Sequence, residues 1–138
     1  MICSPCRVAE IQADTIVRRY TNMRVASLRL HWSVPTRSRA HQRSHEEAIG
    51  DLWGYVQEDS SAEAFVRAVT VENDEWKGHE KFFIVAPQVA VDEDWLELKQ
   101  RHFPDVPVRE EWVKNGGNGF FDCGKAKRFL GWAHRDYA

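Results

Sequence analysis

Apolar residues recur three and four positions apart in four stretches of the chain. This spacing places them on one face of an α-helix, which is typical of helices that pack on a core. In the first stretch the apolar face comprises Ala9, Ala13, Ile16, Val17 and Tyr20. We therefore predict helices over Val8–Tyr20, Ser60–Val71, Asp92–Phe103 and Cys123–Leu130.

Capping signals support three of these helices. The segment Ser60-Ser61-Ala62-Glu63 has the form of a capping box, in which the serine hydroxyl and the glutamate each accept a first-turn amide. Asp92 and Asp122 are expected to cap the third and fourth helices, and Gly131 to end the last one. The side chains expected to be buried on the second helix are Ala62, Phe65, Val66 and Val69.

Two segments have the apolar character of buried strands. Val25–Leu30 (VASLRL) carries apolar residues on both faces, as strands of a parallel sheet do. Lys81–Ala86 (KFFIVA) is a second strong strand, which Pro87 ends. We also predict a short edge strand over Pro107–Glu110.

Residues 31–50 are polar and show no clear period. We predict that they form a long loop with one helical turn near Glu46–Ile49, followed by a short extended segment over Leu52–Val56. The resulting order of helices and strands is that of an α/β protein. Because two strong strands are too few for an independent doubly wound sheet, the chain resembles the later part of a larger fold.

Length, composition and charge narrow the class of protein. With 138 residues, the chain 1–138 is expected to form a single domain. The net charge of −2 argues against a nucleic-acid partner, because such proteins usually present a strongly basic face. No apolar run approaches the roughly 18 residues of a membrane span, and no signal-peptide pattern opens the sequence. We therefore expect a cytoplasmic protein with no membrane partner.

Two groups of residues have the chemistry of metal ligands. Cys3 and Cys6 form a CxxC pair, and His41 and His45 lie four residues apart beside two glutamates. A structural zinc site uses four ligands, and neither group supplies a complete set at suitable spacing. We therefore expect no metal site.

Three arginines lie in the segment 31–50. Arg37, Arg39 and Arg43 could bind a phosphate or diphosphate, because a guanidinium matches such oxygens with two parallel hydrogen bonds. The alternative is that they belong to a solvated basic loop.

The segment Phe120–Trp132 (FFDCGKAKRFLGW) carries a recognisable pattern of an aromatic residue, an Asp cap, a Lys-Ala pair and Leu-Gly-Trp. The segment His102–Arg109 and the strand VASLRL also match, in the same order along the chain. Together these segments resemble the extended short-chain dehydrogenases/reductases of the NAD-dependent epimerase/dehydratase type. The matching residues of the last segment are Phe121, Asp122, Lys125, Ala126, Leu130, Gly131 and Trp132.

The resemblance implies both a fold and a site. The implied fold is α/β, the incomplete C-terminal portion of a Rossmann-type extended short-chain dehydrogenase/reductase, with few strands and flanking helices. The implied cofactor is NAD(P), contacted by Leu30 and His31, and the implied substrate is a small molecule of the nucleotide-sugar class. The implied substrate-binding residues are His31, Trp32, Ser33, Arg37 and Tyr55.

The catalytic residues of that family have no counterpart in this sequence. The family's Tyr-x-x-x-Lys pair falls at Ile2 and Cys6, whose side chains cannot replace an acid/base tyrosine and its lysine. No Gly-rich dinucleotide-binding turn follows a strand either. We therefore predict no catalytic residue, a segment 1–7 unrelated to the family, and a truncated chain that is inactive alone.

Other functions stay open at this point. The chain could be a non-catalytic remnant or a protein-interaction module, because an unpaired edge of the strand VASLRL favours pairing with another chain. A homodimer is the partner expected in that case. A zinc-binding module is a third and weaker alternative.

Overall fold

Two pairs of parallel strands organise the chain. In the computed structural model, which describes residues 4–136, β1 (Val25–Leu30) pairs with β4 (His79–Ile84), and β2 (Ser33–Val34) pairs with β3 (Val56–Gln57). The predicted α/β class is confirmed. The helices are α1 (Ser4–Arg19), α2 (Arg37–His41), α3 (His45–Ile49), α4 (Glu58–Thr70), α5 (Trp95–His102), α6 (Glu110–Lys114) and α7 (Gly124–Leu130).

Helices cover both faces of the β1–β4 sheet. Side chains alternate along a strand, so Leu28 and Phe82 point to one face and Ser27 and Arg29 to the other. The first face packs against α4 and α7, and the second lies under α1. The main core on the α4–α7 side comprises Val56, Ala64, Trp76, Phe82, Ile84, Ala126, Leu130 and Trp132.

A second aromatic core joins α3 to α5. Trp53 is 1% exposed and adopts a positive φ of 49°, in the turn that leads from α3 to β3. Phe120 stacks on its indole with ring centroids 5.9 Å apart. The buried members of this core are Ala48, Trp53, Val89, Trp95 and Leu98.

The prediction of a long loop over residues 31–50 was wrong. The segment contains β2, α2 and α3, and only one of its helices overlaps the predicted turn. Thr36 and Ser44 cap the two helices by accepting the amides of Arg39 and Glu47. Ser44-x-x-Glu47 is itself a capping-box pattern, so a signal for α3 was present in the sequence.

The predicted start and buried face of the second long helix were also wrong. Gln57 caps α4 by accepting the amide of Ser60 at 2.9 Å, so Ser60 lies inside the helix. The buried face carries Ser60, Ser61 and Ala64 instead of the expected residues. Those expected residues are exposed, with values of 53% at Phe65, 59% at Val66 and 83% at Val69, and Ala62 is exposed as well.

Smaller corrections concern the ends of other elements. Asp94, not Asp92, caps α5, because its carboxylate accepts the amides of Leu96 and Glu97. The segment expected to be an edge strand, 107–110, instead leads into α6. Gly131 ends α7 as predicted, with a left-handed φ of 66°.

Helix α1 begins and ends earlier than predicted and packs through a partly polar face. Ala13 is buried as expected, but Ile16 and Tyr20 are 41% and 54% exposed, so that part of the prediction was wrong. Glu10 is buried in place of an apolar residue. Within residues 4–136 no helix combines the length and the apolar composition needed to cross a lipid bilayer.

Candidate functional site

A cleft of about 1090 Å³ lies at the carboxyl ends of β1 and β4. We call it the strand-end cleft. Crevices at this position of parallel sheets are where α/β proteins usually bind small molecules. Its lining includes Ser27, Arg29, Leu30, His31, Trp32, Arg43, Asp51, Phe83 and Phe121.

His31 is the most constrained polar group of the cleft. Its Nδ1 accepts the amide of Trp32 at 2.9 Å, so the neutral ring carries its proton on Nε2. Burial lowers the pKa of His31, which favours this neutral form at pH 7. The ring packs edge-on against Phe121, with centroids 5.2 Å apart. The Nε2 side of the ring also has a hydrogen bond with the backbone of Asp51. His31 therefore presents the edge of a fixed, neutral ring to the cleft.

An aromatic ring and a cation lie together on one wall. Trp32 is 36% exposed, and the guanidinium of Arg43 lies 5.3 Å from its ring centroid. Arg43 is also paired with Asp51, which leaves further guanidinium donors for a ligand. On the β4 side, Phe83 is 39% exposed. A planar ring with an attached phosphate matches this combination of aromatic and guanidinium groups.

A bidentate ion pair between an arginine and a glutamate lies at the base of the cleft. Arg29 Nε and Nη2 donate to the two carboxylate oxygens of Glu10 at 2.7 and 2.9 Å. The hydrogen bond from Arg29 lowers the pKa of Glu10. Because Glu10 lies on α1 and Arg29 on β1, this pair holds the helix to the strand.

Three further side chains have the order of a nucleophile triad. Asp14 Oδ1 lies 2.8 Å from His79 Nδ1, and Ser27 Oγ lies 2.7 Å from His79 Nε2. The hydrogen bond with His79 lowers the pKa of Asp14. However, the His79 side chain is only 1% exposed, so a leaving group could not reach Nε2 to be protonated. The network instead fastens α1 to the sheet.

The structure brings some of the predicted site residues together and separates others. Leu30, His31 and Trp32 line the strand-end cleft, and so does Arg43 from the predicted phosphate-binding group. Leu30 contributes an apolar side chain that is 37% exposed.

The remaining predicted residues lie outside the lining of the cleft. Arg37 donates to the carbonyl of Val91 at 3.0 Å and to Asp92 at 2.9 Å, and so ties α2 to the segment before α5. Ser33 Oγ lies 3.3 Å from Ser61 Oγ. Tyr55 is 0% exposed and donates to Asp136 at 3.2 Å.

Sequence reasoning missed Arg29, Asp51, Phe83 and Phe121 as lining residues. Arg29 carried a usable signal, because it lies one residue before the carboxyl end of the predicted strand Val25–Leu30. Phe83 did not, because the second strand was predicted over Lys81–Ala86 and instead spans His79–Ile84. Asp51 and Phe121 lie in connecting segments, and no local pattern indicates that these segments meet at the cleft.

The two groups of residues with the chemistry of metal ligands, the CxxC pair and His41 with His45, were expected to form no metal site. Cys3 lies outside the described residues, as does Ile2. His41 Nε2 lies 3.5 Å from Asp92 Oδ2, and His45 Nδ1 lies 3.5 Å from Glu93 Oε1, so the two histidines face different partners. Within residues 4–136 no three or more His, Cys, Asp or Glu side chains form a group that could hold a metal ion.

Comparison with known proteins gives no relative: no family model, no curated protein and no solved structure matches this chain.

Proposed function

We propose that the chain is the substrate-side part of an NAD(P)-dependent epimerase/dehydratase-type protein and that the strand-end cleft binds a nucleotide-sugar. One observation carries the proposal: the cleft lies at the carboxyl ends of two parallel strands and is lined by Leu30, His31 and Trp32. These are three of the residues to which the resemblance assigns cofactor and substrate contacts. Under this proposal the β1–β4 sheet is a portion of a Rossmann-type sheet.

The chemistry of the cleft supports a nucleotide-sugar as ligand. A base can stack on the exposed ring of Trp32, because stacking on aromatic side chains needs only a planar face. The diphosphate can then accept hydrogen bonds from Arg43, whose guanidinium lies beside that ring. The sugar can pack against the fixed ring of His31, which Phe121 supports edge-on.

The described residues do not fit the whole of NAD(P). A dinucleotide pyrophosphate usually binds a Gly-rich turn at a helix N-terminus, and the sequence contains no such turn after a strand. Arg29, the second guanidinium of the cleft, is taken up by both oxygens of Glu10. We therefore assign cofactor binding to a separate dinucleotide-binding unit and derive no chemical step through the cofactor.

The free edge of β1 supports packing against such a unit. The amides of Val25 and His31 donate toward β4, to the carbonyls of Gly78 and Ile84. Bonding directions alternate along a strand, so the amides of Ala26 and Leu28 point to the opposite edge. Within residues 4–136 no strand pairs with that edge. It can therefore accept a further strand of a larger sheet.

By itself the chain is proposed to bind its ligand without converting it. The acid/base Tyr and its Lys are replaced by Ile2 and Cys6 in the sequence. The residues of the cleft would then only orient the ligand: Trp32 by stacking, Arg43 by its charge and His31 through its fixed ring.

Titration calorimetry with UDP-glucose tests the proposal. We expect saturable binding to the full chain, weaker binding of UDP, and no binding of glucose, because the base and diphosphate make the main contacts. Replacing Arg43→Gln should weaken binding about tenfold or more, since it removes a charge-assisted hydrogen bond. Arg39→Gln is the matched control: Arg39 lies on the same segment but bonds Gln42. Equal affinities for the two variants would refute the site.

A second candidate function is a self-associating interaction module. The observation that favours it is the apolar outer face of α4, where Phe65, Val66 and Val69 are more than half exposed. Together with the free edge of β1, this surface suits a second copy of the chain.

Sedimentation velocity tests this second candidate. We expect a monomer–dimer equilibrium that shifts to monomer in Val69→Lys, because a charged side chain cannot be buried at an apolar interface without a partner. Gln12→Lys is the control, since Gln12 is exposed on α1, which covers the opposite face of the sheet from α4. A monomer at every concentration would leave only the ligand-binding proposal.

A further inference from the structure

Two histidines from different helices meet beside the aromatic core. His45 is the first residue of α3, and His102 is the last residue of α5. Their Nε2 atoms lie 3.4 Å apart. Both rings rest on Trp53, with centroid distances of 5.1 and 5.3 Å. The helix ends and the buried indole therefore hold the His45–His102 pair in place.

The distance between the two nitrogens matches shared coordination. In proteins, zinc lies about 2.0–2.1 Å from imidazole nitrogens and prefers tetrahedral geometry. With a metal at that distance from both Nε2 atoms, the 3.4 Å separation gives an N–metal–N angle of about 112°, close to the tetrahedral value. A separation of 3.4 Å is also long for a direct hydrogen bond between two nitrogens.

A carboxylate is positioned to orient the first ligand. Glu93 Oε1 lies 3.5 Å from Nδ1 of His45, on the side of the ring away from His102. Glu93 is itself held by Arg101, at 2.7 Å. Ligand histidines in metal sites commonly face a carboxylate with their other nitrogen, which keeps the proton there and frees the lone pair for the metal.

Solvent can reach the pair. The His45 side chain is 35% exposed, and His102 is half-buried. Glu93 faces the wrong nitrogen to be a third ligand, and no group of three ligands forms within the described part of the chain. Two coordination positions would therefore be filled by water or by an external ligand.

The geometry points to a two-histidine site for Zn²⁺, in which His45 and His102 bind through Nε2 and water completes the tetrahedron. Imidazole ligands also suit Cu²⁺ and Ni²⁺, so these ions are expected to bind at the same place. A metal there joins α3 to α5 across Trp53 and stabilises the folded chain, because the unfolded chain does not hold the two rings together.

Calorimetric titration of the full chain with ZnCl₂ tests the site, read together with the melting temperature. We expect one ion per chain and a rise in Tm with zinc concentration. His45→Gln and His102→Gln should each weaken binding about tenfold or more and abolish the rise in Tm. His41→Gln is the matched control, because His41 lies on the neighbouring helix and faces Asp92. The control variant should bind zinc as the unaltered chain does.

Two results would overturn the inference. One is the absence of zinc binding and of any Tm change in the unaltered chain. The other is binding that both glutamine variants retain, which would assign the metal to other groups of the chain. A Cu²⁺ titration gives an independent readout, because bound copper should quench Trp53 fluorescence at 5.1–5.3 Å from the imidazoles. Circular dichroism of each variant establishes that it has folded.

Discussion

Polar side chains, together with the buried Ala13, join α1 to the β1–β4 sheet. Glu10 pairs with Arg29 through two hydrogen bonds, and Asp14 bonds His79, which in turn bonds Ser27. Each of these polar side chains has a partner, so the desolvation that burial imposes at this interface is offset by hydrogen bonds. Because Arg29 and Glu10 also line the strand-end cleft, the same contacts that position α1 shape the site.

Glu10→Gln should lower the free energy of unfolding by about 1–2 kcal/mol, because it leaves the Arg29 guanidinium without its anionic partner in a mostly buried position. Glu75→Gln removes an exposed ion pair with Arg128 and should change the same quantity by less than about 0.5 kcal/mol. Urea denaturation of both variants checks the difference. Equal losses would show that burial of Glu10 is not what gives the pair its strength.

The same interface should make stability depend on acid pH. The pKa values of Glu10 and Asp14 are both lowered in the folded chain, mainly by hydrogen bonds from Arg29 and His79. A lowered folded-state pKa contributes stability that is present above the ordinary pKa and is lost as pH falls through the folded value.

The free energy of unfolding should therefore decrease from about pH 5 toward pH 2. Urea titrations at several pH values measure this, and the decrease should be shallower in Glu10→Gln because one of the two groups no longer titrates. An unchanged slope in that variant would contradict the assignment to Glu10.

Among the elements, β1 was predicted to the residue and α4 was not. The run VASLRL has no competing pattern, and flanking polar residues bound it on both sides. In α4 the apolar residues Phe65, Val66 and Val69 have helical spacing, but spacing does not tell which face meets the core. The face that packs carries Ser60 and Ala64, since small residues let the helix approach β1 and β3 closely.

The predicted site residues likewise divide into those that line the strand-end cleft and those that lie elsewhere. Leu30 ends a recognisable strand and His31 and Trp32 follow it, so their place beside the strand-end cleft follows from the strand prediction. The resemblance implied that Tyr55 binds the substrate, but Tyr55 forms part of a buried cluster with Val34. Contacts between distant segments, such as His45 with His102, leave no pattern in a single sequence.

The turn that carries Gly54 is the element on which His31 depends. A Cβ atom at Gly54 would lie 2.8 Å from His31 Cδ2, which is too close for any real contact. Gly54→Ala should therefore displace the ring and lower the free energy of unfolding by about 1–3 kcal/mol.

Gly50→Ala is the control for this change, because a Cβ at Gly50 meets nothing within 4 Å. Its effect should be neutral or slightly stabilising, since alanine restricts the unfolded chain. Thermal unfolding of both variants measures this difference. An unchanged free energy of unfolding in Gly54→Ala would mean that the His31 ring is free to move.

At the scale of the whole molecule, several segments converge on one end of the β1–β4 sheet. The strands supply Leu30 and Phe83, while connecting segments supply Trp32, Arg43 and Asp51. An exposed aromatic ring, a guanidinium and a fixed imidazole therefore face the same space. We propose that this convergence of groups binds the nucleotide-sugar.

The most direct test of this claim is an NMR titration of the ¹⁵N-labelled chain with UDP-glucose. Binding in the strand-end cleft predicts saturable shifts of the Trp32 indole and the His31 ring signals. The indole of Trp76, which is 2% exposed in the core under α4, should not move. Unchanged Trp32 and His31 signals up to about 5 mM ligand, weaker than any specific site of this kind, would contradict the assignment of the cleft.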